Sequence, residues 1–226
     1  MSHQSGRELW AERFGRPEPK IVCVGLNYAA HAGESGGELP SSPILFGKFA
    51  NTLLWHDDPI VLQPGVGHVD AEAELAVVIG ETASRVPEAS AMNVIAAYTC
   101  ANDVSAREFQ FGDGQWFRGK SLDGFCPLGP DLVAAAGLDV SDLRIVQRLN
   151  GEVLQDARTS NLIFSIPVLV SFISHALTLE PGDVILTGTP EGVGVFRDPK
   201  ISLKDGDVVE IEIDGIGVLR NDVRAA

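Results

Sequence analysis

The apolar positions of this chain fall into two kinds of run. Residues 20–25, 75–79 and 95–102 are largely unbroken by polar side chains. A short unbroken run reads as a strand covered on both faces. Residues 143–149 and 208–213 instead alternate, and each ends in a two-residue turn signal, Asn150-Gly151 and Asp214-Gly215. Alternation with such a turn predicts a hairpin that buries one face. Shorter strands are expected over 43–49, 60–62 and 184–188. Helical expectations are few. Residues 165–177 have Ser165 as N-cap and Pro167 in the first turn. Residues 8–13 form a short helix ended by Pro17 and Pro19, 87–94 another, and 104–111 a third with Asp103 as its N-cap. The Pro- and Gly-dense stretch 116–130 reads as irregular chain. Strands dominate without regular β-α-β winding, which predicts an α+β fold on an antiparallel or mixed sheet. The first 19 residues read as a preamble and 20–226 as one domain.

The strand that matters most carries charge. Asp70-Ala71-Glu72-Ala73-Glu74 leads into the apolar run Leu75-Ala76-Val77-Val78-Ile79. Residues i and i+2 of a strand share a face, so Glu72 and Glu74 project together while Ala73 and Leu75 point the other way. They are either two solvated carboxylates or half of a cation site. Asp103, at the end of a neighbouring apolar run, is either a helix cap or the third ligand. Three oxygens with no Cys or His on offer suit Mg2+ or Mn2+ better than zinc. His31 and Glu34, three apart in a Gly-rich segment that runs on into Ser35-Gly36-Gly37, would share one face of a helical turn. A carboxylate beside an imidazole orients it and raises its basicity. Lys120, between Gly119 and Ser121, is either a surface charge or a clamp for a developing oxyanion. His68 reads as structural or supporting. The loop Gly188-Thr189-Pro190-Glu191-Gly192-Val193-Gly194 lacks the Lys-Ser/Thr of a phosphate loop. Its N–H groups and the Thr189 hydroxyl suit a substrate carboxylate.

Composition narrows the setting. Of the 226 residues 45% are hydrophobic and 21% charged, ordinary for a globular protein, but the formal net charge is −14. Such a field opposes nucleic acid and anionic membranes as partners. It also means that an anionic substrate needs a metal or local cations. Cys23, Cys100 and Cys126 are odd in number and lack metal-site spacing, which fits buried thiols in a reducing cytoplasm. No signal peptide is expected at the N-terminus, and the apolar stretch 166–179 is too short to span a bilayer.

The chain resembles the fumarylacetoacetate hydrolase family. The stretches that carry the likeness are Gly25-Leu26-Asn27-Tyr28-Ala29-Ala30-His31-Ala32-Gly33-Glu34, Pro43-Ile44-Leu45-Phe46-Gly47-Lys48 and Glu72-Ala73-Glu74-Leu75-Ala76-Val77-Val78-Ile79-Gly80. They continue with Asn102-Asp103-Val104-Ser105-Ala106-Arg107, Gly119-Lys120-Ser121 with Asp123, and the 188–194 loop. Six stretches in family order cover nearly everything after residue 20. The resemblance implies the family's mixed β-sandwich roll with a few helices and a homodimer. It implies Mg2+ or Mn2+ on Glu72, Glu74 and Asp103, water activation by His31 with Glu34, and Lys120 as catalytic lysine. It maps substrate contacts onto Arg107, Gln110 and Thr189. It is nearest the short branch without the extra N-terminal domain. The expected activity is hydrolysis of a carbon–carbon bond in an acylpyruvate such as fumarylpyruvate or acetylpyruvate, with a small 2-oxo acid as partner. The alternatives are oxaloacetate decarboxylation or isomerisation of a hydroxyheptadienedioate by the same metal–enolate chemistry, and a non-catalytic metal- or carboxylate-binding protein on this scaffold.

Overall fold

The computed structural model describes residues 6–34, 36 and 38–226. Met1–5, Ser35 and Gly37 lie outside the described residues, and with them His3 and part of the Gly-rich flank of the His31 segment. A seven-stranded mixed sheet and a five-stranded sheet pack together, and a two-stranded ribbon completes the strands. The large sheet is built from β1 (Ile21–Gly25), β2 (Ile44–Lys48), β3 (Leu53–Trp55), β6 (Ala73–Ile79), β7 (Ile95–Asn102), β9 (Cys126–Ala134) and β12 (Val184–Leu186). Its spatial order is β2-β1-β12-β6-β7-β9-β3. The second sheet holds β4 (Ile60–Leu62), β10 (Arg144–Leu149), β11 (Glu152–Arg158), β13 (Val208–Ile213) and β14 (Gly217–Ala225), and the ribbon pairs β5 (Val69–Asp70) with β8 (Ser105–Ala106).

The two kinds of apolar run sort as their patterns require. All seven residues of β6 are buried. Leu75, Val77 and Ile79 enter the main core with Ile145, Ile211, Ile213 and Leu219 of the second sheet. Ala76 and Val78 enter a second core on the opposite face, where Trp10 of helix α1 (Gly6–Phe14) covers them. Both faces are therefore dry, and a polar side chain on this strand has to find a partner within the protein. β13 alternates between half-buried and buried. The predicted hairpin forms at Asn150 and Gly151, both at positive φ (53° and 83°), the backbone that an Asn-Gly turn supplies. Helix α5 (Ile166–Ala176) starts after Ser165, although the Ser165 side chain makes no capping hydrogen bond. Among the described residues no helix is long and apolar enough to cross a membrane.

Two local expectations are corrected. The helix expected over 104–111 begins only at Arg107, as α3 (Arg107–Gly112), because Ser105 and Ala106 pair with Asp70 and Val69. Asp103 therefore caps nothing. It follows directly on β7, with its N–H donated to the Glu72 carbonyl. The stretch expected to be irregular from 116 to 130 contains the one-turn helix α4 (Phe117–Lys120) and the start of β9. Strand β9 tolerates Pro130 because its pairing with β7 slips between Tyr98 and Cys100, opposite that residue.

Candidate active site

The ends of β6 and β7 bring three carboxylates together. Ligand atoms of Glu72, Glu74 and Asp103 lie within 4.8 Å of one another, and all three side chains are buried. The i, i+2 spacing places the two glutamates side by side. The antiparallel pairing of Ala73 with Asn102 delivers Asp103 beside them. Asn102 strengthens the junction by accepting a hydrogen bond from the Glu72 N–H at 3.0 Å.

Cations answer this charge unequally. Lys120 Nζ donates to Glu72 Oε2 at 2.7 Å and Asp103 Oδ2 at 2.6 Å, and Arg107 Nη1 reaches Glu72 Oε1 at 2.7 Å. Burial raises the Glu72 carboxyl, but Lys120 and Arg107 outweigh it and hold the group well below the ordinary carboxylate range. Glu74 accepts one N–H, from Gly188 at 2.6 Å. Burial, then the charges of Asp103 and Glu72, push its carboxyl well above the ordinary range. A dry carboxylate so weakly compensated, beside two others, fits a hard divalent cation held by oxygen donors. Burial lowers the Lys120 ammonium, yet Asp103 and Glu72 together raise it, so it stays charged.

His31 and Glu34 lie on helix α2 (Ala29–Glu34), with His31 Nδ1 3.2 Å from Glu34 Oε2. Glu34 is fixed from its other side by the Gly192 N–H, at 3.1 and 3.2 Å from its two oxygens. The Asn27 side chain fixes the entry to α2, donating to the carbonyls of Thr187 at 2.8 Å and Phe164 at 3.1 Å.

A cavity of about 120 Å3 joins these groups. Its polar lining includes the three carboxylates, His31 and Lys120. Arg107, Gln110 and Thr189, the expected substrate contacts, also line it. Gln110 Oε1 accepts from Arg107 Nη1 at 2.9 Å, and Thr189 Oγ1 accepts from Gln155 Nε2 at 2.8 Å. The 188–194 loop differs from expectation in one respect. Its N–H groups receive the protein's own carboxylates, Gly188 on Glu74, Gly192 on Glu34 and Gly194 on Asp70, so only Thr189 remains turned to the cavity. His68 contributes its backbone, whose carbonyl accepts the Arg107 N–H at 2.8 Å.

Three supporting residues escaped the sequence reading. Lys48 is fully buried and pairs with Asp103 Oδ1 at 2.7 Å. Asp70 accepts from Arg107 Nη2 and Nε at 2.9 and 3.1 Å, and from the N–H groups of Gly194 and Val195 at 2.9 Å each. Gln155 ties Thr189 to the carboxylate strand by accepting the Ala73 N–H at 2.9 Å. A lone charge inside an apolar strand marks Lys48 in the sequence. Asp70 and Gln155 carry no comparable mark.

The chain is similar to several known proteins along nearly its whole length. A mitochondrial oxaloacetate tautomerase, FAHD2A of Bos taurus, is 47% identical over 211 residues, which span 92% of this chain and 67% of that protein. A solved structure of 5-carboxymethyl-2-hydroxymuconate delta-isomerase from Mycobacterium smegmatis superposes with a TM-score of 0.83 at 47% identity, covering 92% of this chain and 79% of that one. The 2-hydroxyhepta-2,4-diene-1,7-dioate isomerase of Mycobacterium marinum superposes with a TM-score of 0.82 at 43% identity, covering 91% and 74%. The family model for the fumarylacetoacetate hydrolase C-terminal domain matches residues 20–224, which takes in the carboxylate cluster, the His31–Glu34 pair and Lys120. The chain belongs to the fumarylacetoacetate hydrolase family.

Proposed function

We infer that this chain moves a proton on a short 2-oxo dicarboxylic acid, interconverting the keto and enol forms of a substrate such as oxaloacetate, with Mg2+ or Mn2+ as cofactor. The observation that carries this reading is one small cavity lined by both an imidazole held through Nδ1 and a charged lysine seated on a carboxylate cluster. The names of the relatives point the same way, since a tautomerase and two isomerases rearrange a molecule without splitting it. That favours rearrangement over the acylpyruvate hydrolysis expected from sequence.

Glu72, Glu74 and Asp103 would hold the cation, which as a Lewis acid stabilises negative charge developing on the 2-oxo oxygen. With Glu34 on Nδ1, Nε2 is the ring nitrogen of His31 left to take the proton from the substrate carbon. Glu34 then stabilises the imidazolium and fixes its orientation. Lys120 offers its ammonium to the enolate-like oxygen and can return a proton to it. Arg107, Gln110 and Thr189 receive the substrate carboxylates. Lys120, Arg107 and the metal would offset the repulsion that a net charge of −14 sets against a dianion.

The test offers oxaloacetate, acetylpyruvate and fumarylpyruvate with Mg2+, with Mn2+ and with chelator, following enol absorbance, carbon dioxide and pyruvate. The reading expects metal-dependent keto–enol equilibration of oxaloacetate faster than any pyruvate release. His31→Ala should slow it by about 10²–10⁴-fold, the usual share of general acid–base catalysis. The same His31–Glu34 pair also suits activation of water, so hydrolysis is the second reading. Pyruvate release from acetylpyruvate outpacing equilibration would establish it. Carbon dioxide and pyruvate from oxaloacetate would establish decarboxylation. No turnover of any substrate, with metal bound, would leave a binding protein.

A further inference from the structure

The cavity has an aromatic side as well as a polar one, and Trp116 is its central piece. The indole packs edge-on against Phe46, with ring centroids 5.2 Å apart and planes at 75°. Lys120 Nζ lies 5.2 Å from the centre of the same Phe46 ring. The indole is thus separated from the site lysine by a single ring. On another side it rests on the backbone of Gly25, at the end of β1. A Cβ built on Gly25 would stand only 2.4 and 2.8 Å from two carbons of the indole six-membered ring, closer than real Cβ atoms approach. The φ angle of Gly25 is not positive, so it is the indole, not the backbone conformation, that demands glycine here. Gly25, Phe46 and Trp116 all line the cavity.

This placement has a consequence for size. At about 120 Å3 the cavity is well under the roughly 300–1,000 Å3 of pockets that take drug-sized ligands. Much of its polar lining would be taken up by holding a cation and two carboxylates. The apolar side bounds the space left for the body of the substrate, and among its aromatic residues Phe111 and Phe196 are exposed while the Trp116 indole is seated directly on main chain. A side chain wedged against backbone yields less than one packed on flexible neighbours. We propose that Trp116, seated on Gly25, is the specificity wall of this site and restricts it to short 2-oxo dicarboxylic acids. The proposal rests on the 2-oxo-acid reading above and adds chain length to it.

The test uses oxaloacetate, 2-oxoglutarate and 2-oxoadipate, a series that lengthens by one methylene at a time. Each is measured for Mn2+-dependent turnover and, separately, for calorimetric binding to the Mn2+-loaded full chain. In a fitted pocket one methylene changes discrimination by about 10–200-fold. The wild type should therefore lose about tenfold or more in affinity at each added methylene. Trp116→Leu should reduce that loss to about threefold or less. Gly25→Ala, which forces the indole from its seat, should change the chain-length preference on its own but not when combined with Trp116→Leu. That non-additivity separates a wall from a general loss of fold. Equal effects of Trp116→Leu on all three acids would overturn the proposal, as would a Gly25→Ala effect that persists without the indole. Absence of turnover with a Trp116-dependent binding series would refute the proton-transfer reading and uphold the wall. Failure of all three acids to bind would refute both.

Discussion

Removing the Lys48 ammonium tests the electrostatic argument most sharply, because no solvent can replace it. Its side chain is 0% exposed, as is that of Asp103, and Nζ lies 2.7 Å from Asp103 Oδ1. Its hydrogen bonds go to the carbonyls of Lys120 at 2.5 Å, Phe125 at 2.8 Å and Val104 at 3.1 Å. Lys48→Met keeps the aliphatic stem and strips every one of these oxygens of a donor. Breaking a buried pair costs about 3–5 kcal/mol. A buried carbonyl left without a donor adds about 1–3 kcal/mol where water does not reach it. Asp103 keeps Lys120 on its other oxygen, which moderates the loss. We therefore expect at least about 4 kcal/mol, a large share of the roughly 5–15 kcal/mol that stabilises a typical domain. Lys120→Met should cost less stability, because Lys120 itself borders the cavity, as Lys48 does not, and water can take its place, yet it should remove activity. The assay is urea unfolding of both variants followed by circular dichroism, with midpoints compared at equal slope. A loss below about 1 kcal/mol for Lys48→Met, or one smaller than for Lys120→Met, would refute the reasoning.

Three further outcomes follow from the same geometry. The raised Glu74 carboxyl binds more protons folded than unfolded, so metal-free stability should fall as pH rises from the ordinary value of 4.5 through the folded one. Thermal melts across that range should lose this slope once Mg2+ or Mn2+ is saturating. Glu74→Gln should for the same reason stabilise the metal-free protein by about 0.5–2 kcal/mol while weakening Mn2+ binding in calorimetry. Gly192→Ala would place a Cβ within van der Waals distance of the Leu154 carbonyl at a φ of +98°, so the loop must move and its N–H must leave Glu34. Turnover should fall with little change in metal affinity, and an unchanged kcat would show that this N–H does not position the pair.

What was legible in the sequence was local. Glu72 and Glu74 share a face because a strand alternates, and His31 meets Glu34 because a helix turns in 3.6 residues. The unbroken run of β6 announced a strand dry on both sides, and both cores use it. The misreadings came from partners remote in the chain. Helical propensity after Asp103 was overridden by two ribbon pairs with Val69 and Asp70. Pro130 looks incompatible with a strand until the slip in the β7 pairing accommodates it.

The supporting residues were hidden for a related reason. Lys48, Asp70 and Gln155 make most of their bonds to backbone groups, which have no side-chain signature in a sequence. These backbone bonds nevertheless decide how the site works as a unit. Asp70 binds Arg107, which binds Glu72, and it also binds the loop whose Gly192 N–H holds Glu34 on His31. One buried carboxylate therefore bonds both to the guanidinium that sits on the carboxylate cluster and to the loop that holds the His31–Glu34 pair. Chemistry that needs a charged floor and a base in fixed relation gains from that arrangement, because the two cannot drift apart independently. Neither spacing nor motif predicts it. It follows from Asp70 standing on β5, two residues before Glu72 and within reach of a loop more than a hundred residues later.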